Sequence, residues 1–315
     1  MTLFESLGAL ATASGDGAVD WDAVSSAARA SMDPGDLDVG PAERAGFASD
    51  VRDARRAIAA TTGRSFAISD AVEVQHRHHW IDANVETFRL VLAPLDETPT
   101  LLPGLANRVN TATMATLLAV LGRNVLGQYD PRLFAEGDPG LYFVLPNLRR
   151  AAAVMNVDHP RFRRWIAFHE VTHAAEFDAA PWLVPHLEDR IERAVGGLAE
   201  GDLDAAAVRD VDDAMTAVEG YAEFVMDRAF DARTDDLRER LDARRRAGGP
   251  LAALVRRLLG LGIKRRQYER GKAFFDAVAD ARGVEAAGAV WREPAALPTS
   301  SEFEQPAQWL SRVEP

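Results

Sequence analysis

Residues 158–173 decide the fold, and they read DHPRFRRWIAFHEVTH. Asp158 is a favoured N-cap, and Pro160 stands near the first helical position, where its missing N–H costs nothing. The apolar residues that follow recur at the spacing of one helix face, namely Phe162, Trp165 and Ile166. The pattern predicts a helix that begins after Asp158 and ends near Phe177, before Pro181.

The core-facing side of this predicted helix carries two histidines, His169 and His173, in an HExxH pattern. At i, i+4 their rings lie on one helix face, about 6 Å apart along the axis, so both can reach one tetrahedral metal ion. Glu170 then points towards the open position, where a carboxylate can take a proton from zinc-activated water. The alternative is a buried pair of histidines, but two polar rings on one apolar stripe would each need a partner. The pattern favours zinc.

A catalytic zinc usually takes three protein ligands and leaves the fourth position to water. The chain has no cysteine, so the third ligand must be His, Asp or Glu. The extended pattern HExxHxxGxxH is absent, because positions 176 and 179 are Glu and Ala. We do not expect Glu176 to be a ligand, because the two histidines already occupy that helix face.

The predicted source of the third ligand is a second helix, from about residue 212 to residue 230. Glu219 and Glu223 lie side by side at i, i+4 near the edge of its apolar stripe, where a carboxylate is costly unless it is paired or bound to metal. We predict that Glu219 is the third zinc ligand and that Glu223 is a hydrogen-bond partner of a ligand histidine. His186 and Glu223 are the alternatives for the third ligand. The alternative without a metal is that Glu219 and Glu223 form an ordinary, half-exposed acidic pair.

The rest of the chain predicts a mostly helical protein with a small sheet. Residues 141–145 are short, aromatic and β-branched, and they end at Pro146, which is typical of a strand; residues 66–69 are a weaker candidate. Helical spacing recurs over residues 80–92 and 255–263. We therefore expect an α+β fold, predominantly α-helical, with a small sheet beside the HExxH helix. Predicted core and anchoring residues of the C-terminal part are Phe274, Phe275, Val278, Trp291 and Trp309.

Composition excludes several functional classes. With 36 basic and 48 acidic residues, the net charge of −12 argues against nucleic acid or an anionic membrane as a partner. There is no run of 18 apolar residues to predict a transmembrane helix, and the N-terminal residues lack the basic start of an export signal. The absence of cysteine excludes thiol catalysis. We expect a cytoplasmic protein.

Two local clusters have plain structural interpretations. Three histidines occur within residues 76–79, and we expect a solvated helix start there rather than a metal patch. Basic residues cluster at 244–246, 256–257 and 264–266, where we expect solvated faces that pair with acidic helices; the alternative is a site for an acidic or phosphorylated ligand.

HEVTH followed by Glu219-Gly-Tyr-Ala-Glu223 resembles the gluzincin branch of the zincin metallopeptidases. The chain is more closely similar to the zincin-like metallohydrolases associated with deazaflavin-coenzyme biosynthesis. The similar stretches lie in the expected order, at residues 80–84, 125–130, 143–147, 169–177, 219–227, 264–268, 271, 274, 291, 297–299 and 309–312.

The resemblance implies a zincin-like α+β fold, one Zn²⁺ ion, and the roles assigned above to His169, Glu170, His173 and Glu219. It also implies that residues 141–145 form the sheet edge beside the cleft. Residues 1–70 would be a variable N-terminal helical extension, and residues 71–315 the metallohydrolase domain. Tyr221 stands where many relatives carry His.

The predicted reaction is hydrolysis of an amide or peptide bond by zinc-activated water, with Glu170 as general base and then as proton donor to the leaving amine. Tyr221 and Tyr268 are candidates for stabilising the oxyanion, a role that needs a positioned donor. A non-catalytic, zinc-stabilised binding or scaffold protein is the alternative. A second alternative is an anion-binding module that uses the basic residues of the C-terminal part.

Overall fold

A computed structural model describes residues 17–67, 72–97, 103–200, 204–230, 235–246 and 264–315. The side chains of residues 97, 103, 198–199, 235, 242, 244–246 and 264–268 lie outside that description. The α-helices are α1 Trp21–Ala30, α2 Pro41–Thr62, α3 Arg77–Leu92, α4 Pro103–Gly122, α5 Leu145–Met155, α6 His159–Ala179, α7 Leu183–Glu200, α8 Ala205–Ala229, α9 Asp235–Arg246, α10 Lys264–Arg282, α11 Val284–Ala287, α12 Ser300–Glu304 and α13 Pro306–Val313. The strands are β1 Val72–Gln75, β2 Gly127–Asp130 and β3 Gly140–Val144, and short 3₁₀ segments are Ala93–Glu97, Gly288–Trp291 and Pro294–Ala296. The predicted α+β, predominantly helical architecture is confirmed.

The small sheet has the order β1-β3-β2. β1 pairs with β3 in parallel, with Val72 opposite Leu141, and β2 pairs with β3 antiparallel, with Gly127 opposite Phe143. The prediction that residues 141–145 form a strand is confirmed over Gly140–Val144. The prediction that this strand is the sheet edge is wrong, because β1 and β2 flank it on both sides. The edge strand near the histidine helix is β2.

The weaker strand candidate at residues 66–69 is also wrong where it can be judged. Phe66 and Ala67 are not in a strand, and residues 68 and 69 lie outside the described residues. Phe66 is instead a buried core residue, and the backbone N–H of Ala67 donates to Asp178 on α6. Its apolar character therefore reflects burial rather than a strand.

The histidine-bearing helix α6 lies in the main hydrophobic core, as the apolar stripe predicts. Asp158 caps it by accepting a hydrogen bond from the backbone of Arg161, and Pro160 lies in its first turn. Phe162 and Trp165 are buried in the same core cluster as residues of α8, β3 and α10. The predictions for this helix and for the α8 helix are confirmed, although α8 begins earlier than residue 212.

Helix α2 packs against α6 in the same core. Phe47, Val51 and Ile58 are buried in the main cluster, and the Asp50 carboxylate binds Arg163 of α6 at 2.7 Å, with both side chains buried. Helices α1, α3 and α4 form a second apolar cluster that also takes in Val144. A domain boundary near residue 70 stays a prediction.

The C-terminal residues close the core. Phe274, Phe275 and Val278 of α10 are fully buried, and Trp309 donates through Nε1 to the carbonyl of Ala296 at 2.7 Å. These core predictions are confirmed. The helix predicted over residues 255–263 and the basic clusters at 244–246, 256–257 and 264–266 lie outside the residues or side chains that the structure describes. None of the helices in the described ranges is long and apolar enough for a bilayer crossing.

The histidines of residues 76–79 start α3, as expected. His76 is the N-cap and accepts through Nδ1 from the backbone N–H of His79 at 3.1 Å, and the two rings stack. His78 contacts the carbonyl of Met32 at 3.1 Å.

Candidate metal centre

Helix α6 presents His169 and His173 on one face, one turn apart. Their Nε2 atoms lie 3.3 Å from each other, and the rings are nearly perpendicular, at 77°. The two Nε2 atoms converge on one point while Nδ1 of His173 is held by Glu176, which is the orientation in which two imidazoles can share a metal ion. The i, i+4 spacing of the sequence thus produces the convergence that a metal needs.

Helix α8 brings Glu219 to the same point from 46 residues further along the chain than His173. The Oε2 atom of Glu219 lies 4.0 Å from Nε2 of His169 and 4.0 Å from Nε2 of His173. A point equidistant from the three atoms lies about 2.2 Å from each, which is close to the Zn–N and Zn–O bond lengths of about 2.0–2.2 Å. Two imidazoles and one carboxylate are also a donor set of catalytic zinc sites. The three side chains therefore fit a zinc ion.

A close crossing of two helices positions the Glu219 turn of α8. A side-chain Cβ on Gly220 would overlap the Cα of Gly271 on α10, and one on Gly271 would overlap the carbonyl oxygen of Thr216. Only glycine at both positions lets the two backbones approach so closely. Val218 and Ala222, on either side, are buried in the core.

Glu170 connects the histidine helix to the edge strand β2. Its Oε2 atom accepts a hydrogen bond from the backbone N–H of Tyr129 at 2.9 Å. A Cβ on Gly127 would lie 2.8 Å from Cγ of Glu170, so the strand passes the carboxylate without a side chain between them. The carboxylate is therefore oriented by β2, directly beside the two histidines.

Glu176 holds the second histidine in place. Its Oε2 atom lies 2.8 Å from Nδ1 of His173, and its side chain is completely buried. Burial works to lower the pKa of His173, but the charge and hydrogen bond of Glu176 outweigh it and raise that pKa above its ordinary value. Reasoning from the sequence excluded Glu176 as a ligand and missed this contact, although the His-x-x-Glu spacing of one helical turn is its signal.

Comparisons with known proteins agree with this centre. The model of the zincin-like metallopeptidase family matches residues 19–211 and 198–310. The chain belongs to the zincin-like metallopeptidase family. This zincin is also similar to a crystal structure from Chloroflexus aurantiacus described as a "putative hydrolase with a novel fold", with a TM-score of 0.78 and 30% identity over 94% of this chain and 99% of the other. No curated protein matches the chain.

Two further candidate site residues, Glu223 and His186, have other contacts in the structure of this zincin. The carboxylate of Glu223 lies 2.8 Å from Nε of Arg238 on α9. A hydrogen bond from Glu223 to a proposed ligand histidine stays a prediction. The Nδ1 atom of His173 contacts Glu176 instead. His186 packs its ring against Trp182 and is not in the cluster of potential ligands found among the described residues.

The two tyrosine candidates for the oxyanion remain predictions. Tyr221 is buried between the rings of Phe275 and Trp291, and burial raises the pKa of its hydroxyl above the ordinary value. Tyr268 belongs to α10, in the part of that helix whose side chains the structure does not describe.

Proposed function

We propose that this protein is a zinc-dependent hydrolase of a peptide or other amide bond, with His169, His173 and Glu219 as the metal ligands and Glu170 as the general base. The observation that carries the proposal is the position of Glu170, which lies next to a convergent His-His-Glu set and is anchored to the edge strand through Tyr129 N–H. A carboxylate that lies beside the three potential ligands and outside that set is the arrangement that a general base for zinc-activated water requires.

Zinc, when bound, activates water and polarises the carbonyl to be attacked. Glu170 takes the proton of the attacking water and later gives it to the leaving amine. The hydrogen bond from the backbone N–H of Tyr129 to Oε2 restrains the Glu170 carboxylate beside the two histidines. His169 and His173 keep their Nε2 atoms aimed at one point, and Glu176 fixes the ring of His173 through Nδ1.

The edge of β2 offers a binding mode for an extended substrate. Tyr129 turns its N–H away from β3, and by the alternation of an antiparallel pair Gly127 turns its backbone groups to the same side. Because the Tyr129 N–H already donates to Glu170, a peptide that adds to this edge would pair with the remaining outward groups, the carbonyl of Tyr129 and the backbone of Gly127, beside Glu170. Because β3 is enclosed on both sides, β2 replaces residues 141–145 in this role.

The alternative is a zinc-stabilised scaffold without activity. Structural zinc sites are closed by a fourth protein ligand, whereas catalytic sites leave that position to water. Among the described residues, the potential ligand cluster contains His169, His173 and Glu219 and no fourth member. This favours the hydrolase. A cytoplasmic location and a link to deazaflavin-coenzyme biosynthesis stay predictions.

Metal analysis and activity together test the proposal. The purified protein is expected to hold one zinc ion, Glu219→Ala to lose it, and Glu285→Ala, at an exposed glutamate, to keep it. On a peptide library, Glu170→Gln is expected to keep its zinc and to hydrolyse at least about 100-fold more slowly than the wild type. Full zinc in Glu219→Ala removes that residue from the site, and full activity in Glu170→Gln on a cleaved peptide refutes the mechanism.

A further inference from the structure

The edge strand β2 is short, yet it packs closely against Glu170. It has four residues and one neighbouring strand, and short edge strands are the parts of a sheet that open most readily. Yet Gly127 approaches Glu170 without space for a methyl group, and Tyr129 must keep its hydrogen bond to the same carboxylate. We therefore expect contacts outside the sheet to add to the pairing with β3 in holding the strand in register.

One such contact is a closed ring of hydrogen bonds around Gln128. Trp80 donates through Nε1 to Oε1 of Gln128 at 2.6 Å, and Gln128 donates through Nε2 to Oδ1 of Asn84 at 3.0 Å. Asn84 completes the ring by donating to the carbonyl of Trp80 at 2.8 Å. Since side chains alternate along a strand, Gln128 points to the face opposite that of Gly127 and Tyr129. Helix α3 thus binds the Gln128 side chain on the face of β2 opposite the one that contacts Glu170.

A second contact fixes the chain just before β2. The fully buried Asn147, in the first turn of α5, donates through Nδ2 to the carbonyls of Gly122 and Val125, each at 2.8 Å. Its Oδ1 atom accepts from Nε of Arg77 at 2.8 Å. The amide of Asn147 therefore holds both ends of the turn that leads from α4 into β2.

From these contacts we infer that Asn84 and Asn147, with Trp80, are positioning residues that set β2 against Glu170 and shape the edge to which an extended substrate adds. The stretches around residues 80–84, 125–130 and 143–147 thereby form one frame, which we call the amide frame: Trp80, Asn84, Gln128 and Asn147. The role of the frame in substrate binding rests on the proposed function; its role in holding β2 does not.

Amide hydrogen exchange tests the structural half. Removal of a buried hydrogen bond is expected to raise exchange over residues 126–130 by about tenfold in Asn84→Ala, Asn147→Ala and Trp80→Phe. Trp80→Phe keeps an aromatic ring in the core and removes the Nε1 donor with part of the indole volume, so it is a second readout if an asparagine variant folds poorly. The control is Asn110→Ala on α4, an exposed amide that donates to the carbonyl of Ala18 and not to β2. Unchanged exchange at residues 126–130 in Trp80→Phe and the folded asparagine variants overturns the inference.

Two zinc-directed probes test the link to the site. Acetohydroxamate reaches the metal and Glu170 alone, whereas a peptidyl hydroxamate extends along the strand edge. In the frame variants, the affinity for the peptidyl probe is expected to fall about tenfold, while zinc content stays unchanged. Acetohydroxamate affinity is expected to fall less, because that probe depends on β2 only through Glu170. An equal loss for both probes, or no loss for either, contradicts a positioning role for the frame at the substrate edge. If the wild-type protein binds neither zinc nor hydroxamate, the hydrolase proposal fails, and hydrogen exchange still decides whether the frame holds β2.

Discussion

Glu176 and His173 form a buried pair in which Oε2 of the carboxylate lies 2.8 Å from Nδ1 of the ring. Both belong to α6, three residues apart, so the pair is fixed by one helical turn. A carboxylate at Nδ1 leaves Nε2 as the lone-pair nitrogen and makes it a stronger donor to a metal. His173, a proposed ligand, is therefore oriented before any ion binds.

Glu176→Gln is expected to weaken zinc binding by about 10- to 100-fold, because the amide cannot supply the charge that increases the basicity of His173. Competition with a chromophoric chelator measures the affinity. Asp178→Asn, an exposed acid two residues further along α6, is the matched control and is expected to leave the affinity unchanged. Equal affinities for wild type and Glu176→Gln would show that the pair does not support the metal.

Gly220→Ala is expected to destabilise the fold by about 1–3 kcal/mol, since its Cβ would overlap the backbone of Gly271 and force α8 from α10. Zinc affinity should fall as well, because Glu219 is the adjacent residue. Gly196→Ala on α7 is the matched control: nothing lies within 4 Å of its Cβ, so helix propensity should stabilise that variant by up to about 1 kcal/mol. Urea unfolding compares the two, and similar stabilities would argue against a constrained crossing.

Gly127→Ala is expected to lower the hydrolysis rate about tenfold or more without loss of zinc, because its Cβ would lie 2.8 Å from Cγ of Glu170 and displace this proposed general base. Metal content and steady-state rates on one cleaved peptide are the measurements. Gly104→Ala serves as the control, with open space around its Cβ. A variant that loses zinc and activity in parallel would instead indicate that β2 supports the ligands.

Glu302 links the C-terminal helices in a pH-dependent way. Burial works to raise its pKa, but the hydrogen bonds from Arg312 and from the backbone of Thr299 outweigh burial and hold that pKa below the ordinary value. Because the pKa is lower in the folded state, the stabilisation is complete above the unfolded pKa of about 4.5 and is lost as pH falls through the folded value.

Glu302→Gln is accordingly expected to lower the free energy of unfolding by about 1 kcal/mol at pH 7, because the neutral amide loses the ion pair with Arg312. The amide oxygen can still accept from the backbone N–H of Thr299, so the capping box of α12 is kept. The difference from wild type should shrink as the pH is lowered below about 4. Thermal or urea unfolding over this pH range provides the measurement. A difference that stays constant from pH 7 to pH 3 would assign the effect to packing rather than to charge.

The parts of the molecule that follow from local sequence could be predicted well. The cap at Asp158, Pro160 and the apolar stripe define α6, and the HExxH spacing places His169 beside His173, because all of these depend on residues within a few turns. The apolar stripe of α8 similarly gives the face on which Glu219 lies. Periodicity and capping depend on residues that are close in sequence, so both can be identified from the sequence alone.

What could not be predicted depends on pairing between distant segments. The central position of β3 requires β1, whose partner residues are about 70 positions away, as Val72 and Leu141 show. The meeting of Glu170 with Gly127 and Tyr129 likewise depends on where β2 settles, and no periodicity within residues 127–130 reveals it. Strand order and close backbone contacts are determined by the packing of segments that are distant in sequence.

The salt bridge between Asp50 and Arg163 has a practical consequence for anyone who shortens the protein. A fragment that starts at residue 71 would leave Arg163, whose side chain is now 9% exposed, without its counter-ion on the helix that also bears both imidazoles. It would at the same time uncover the groove that Phe47 and Ile58 fill. We expect such truncated proteins to aggregate rather than to yield a minimal catalyst. Proteins made for crystallisation and assays should therefore begin before α1.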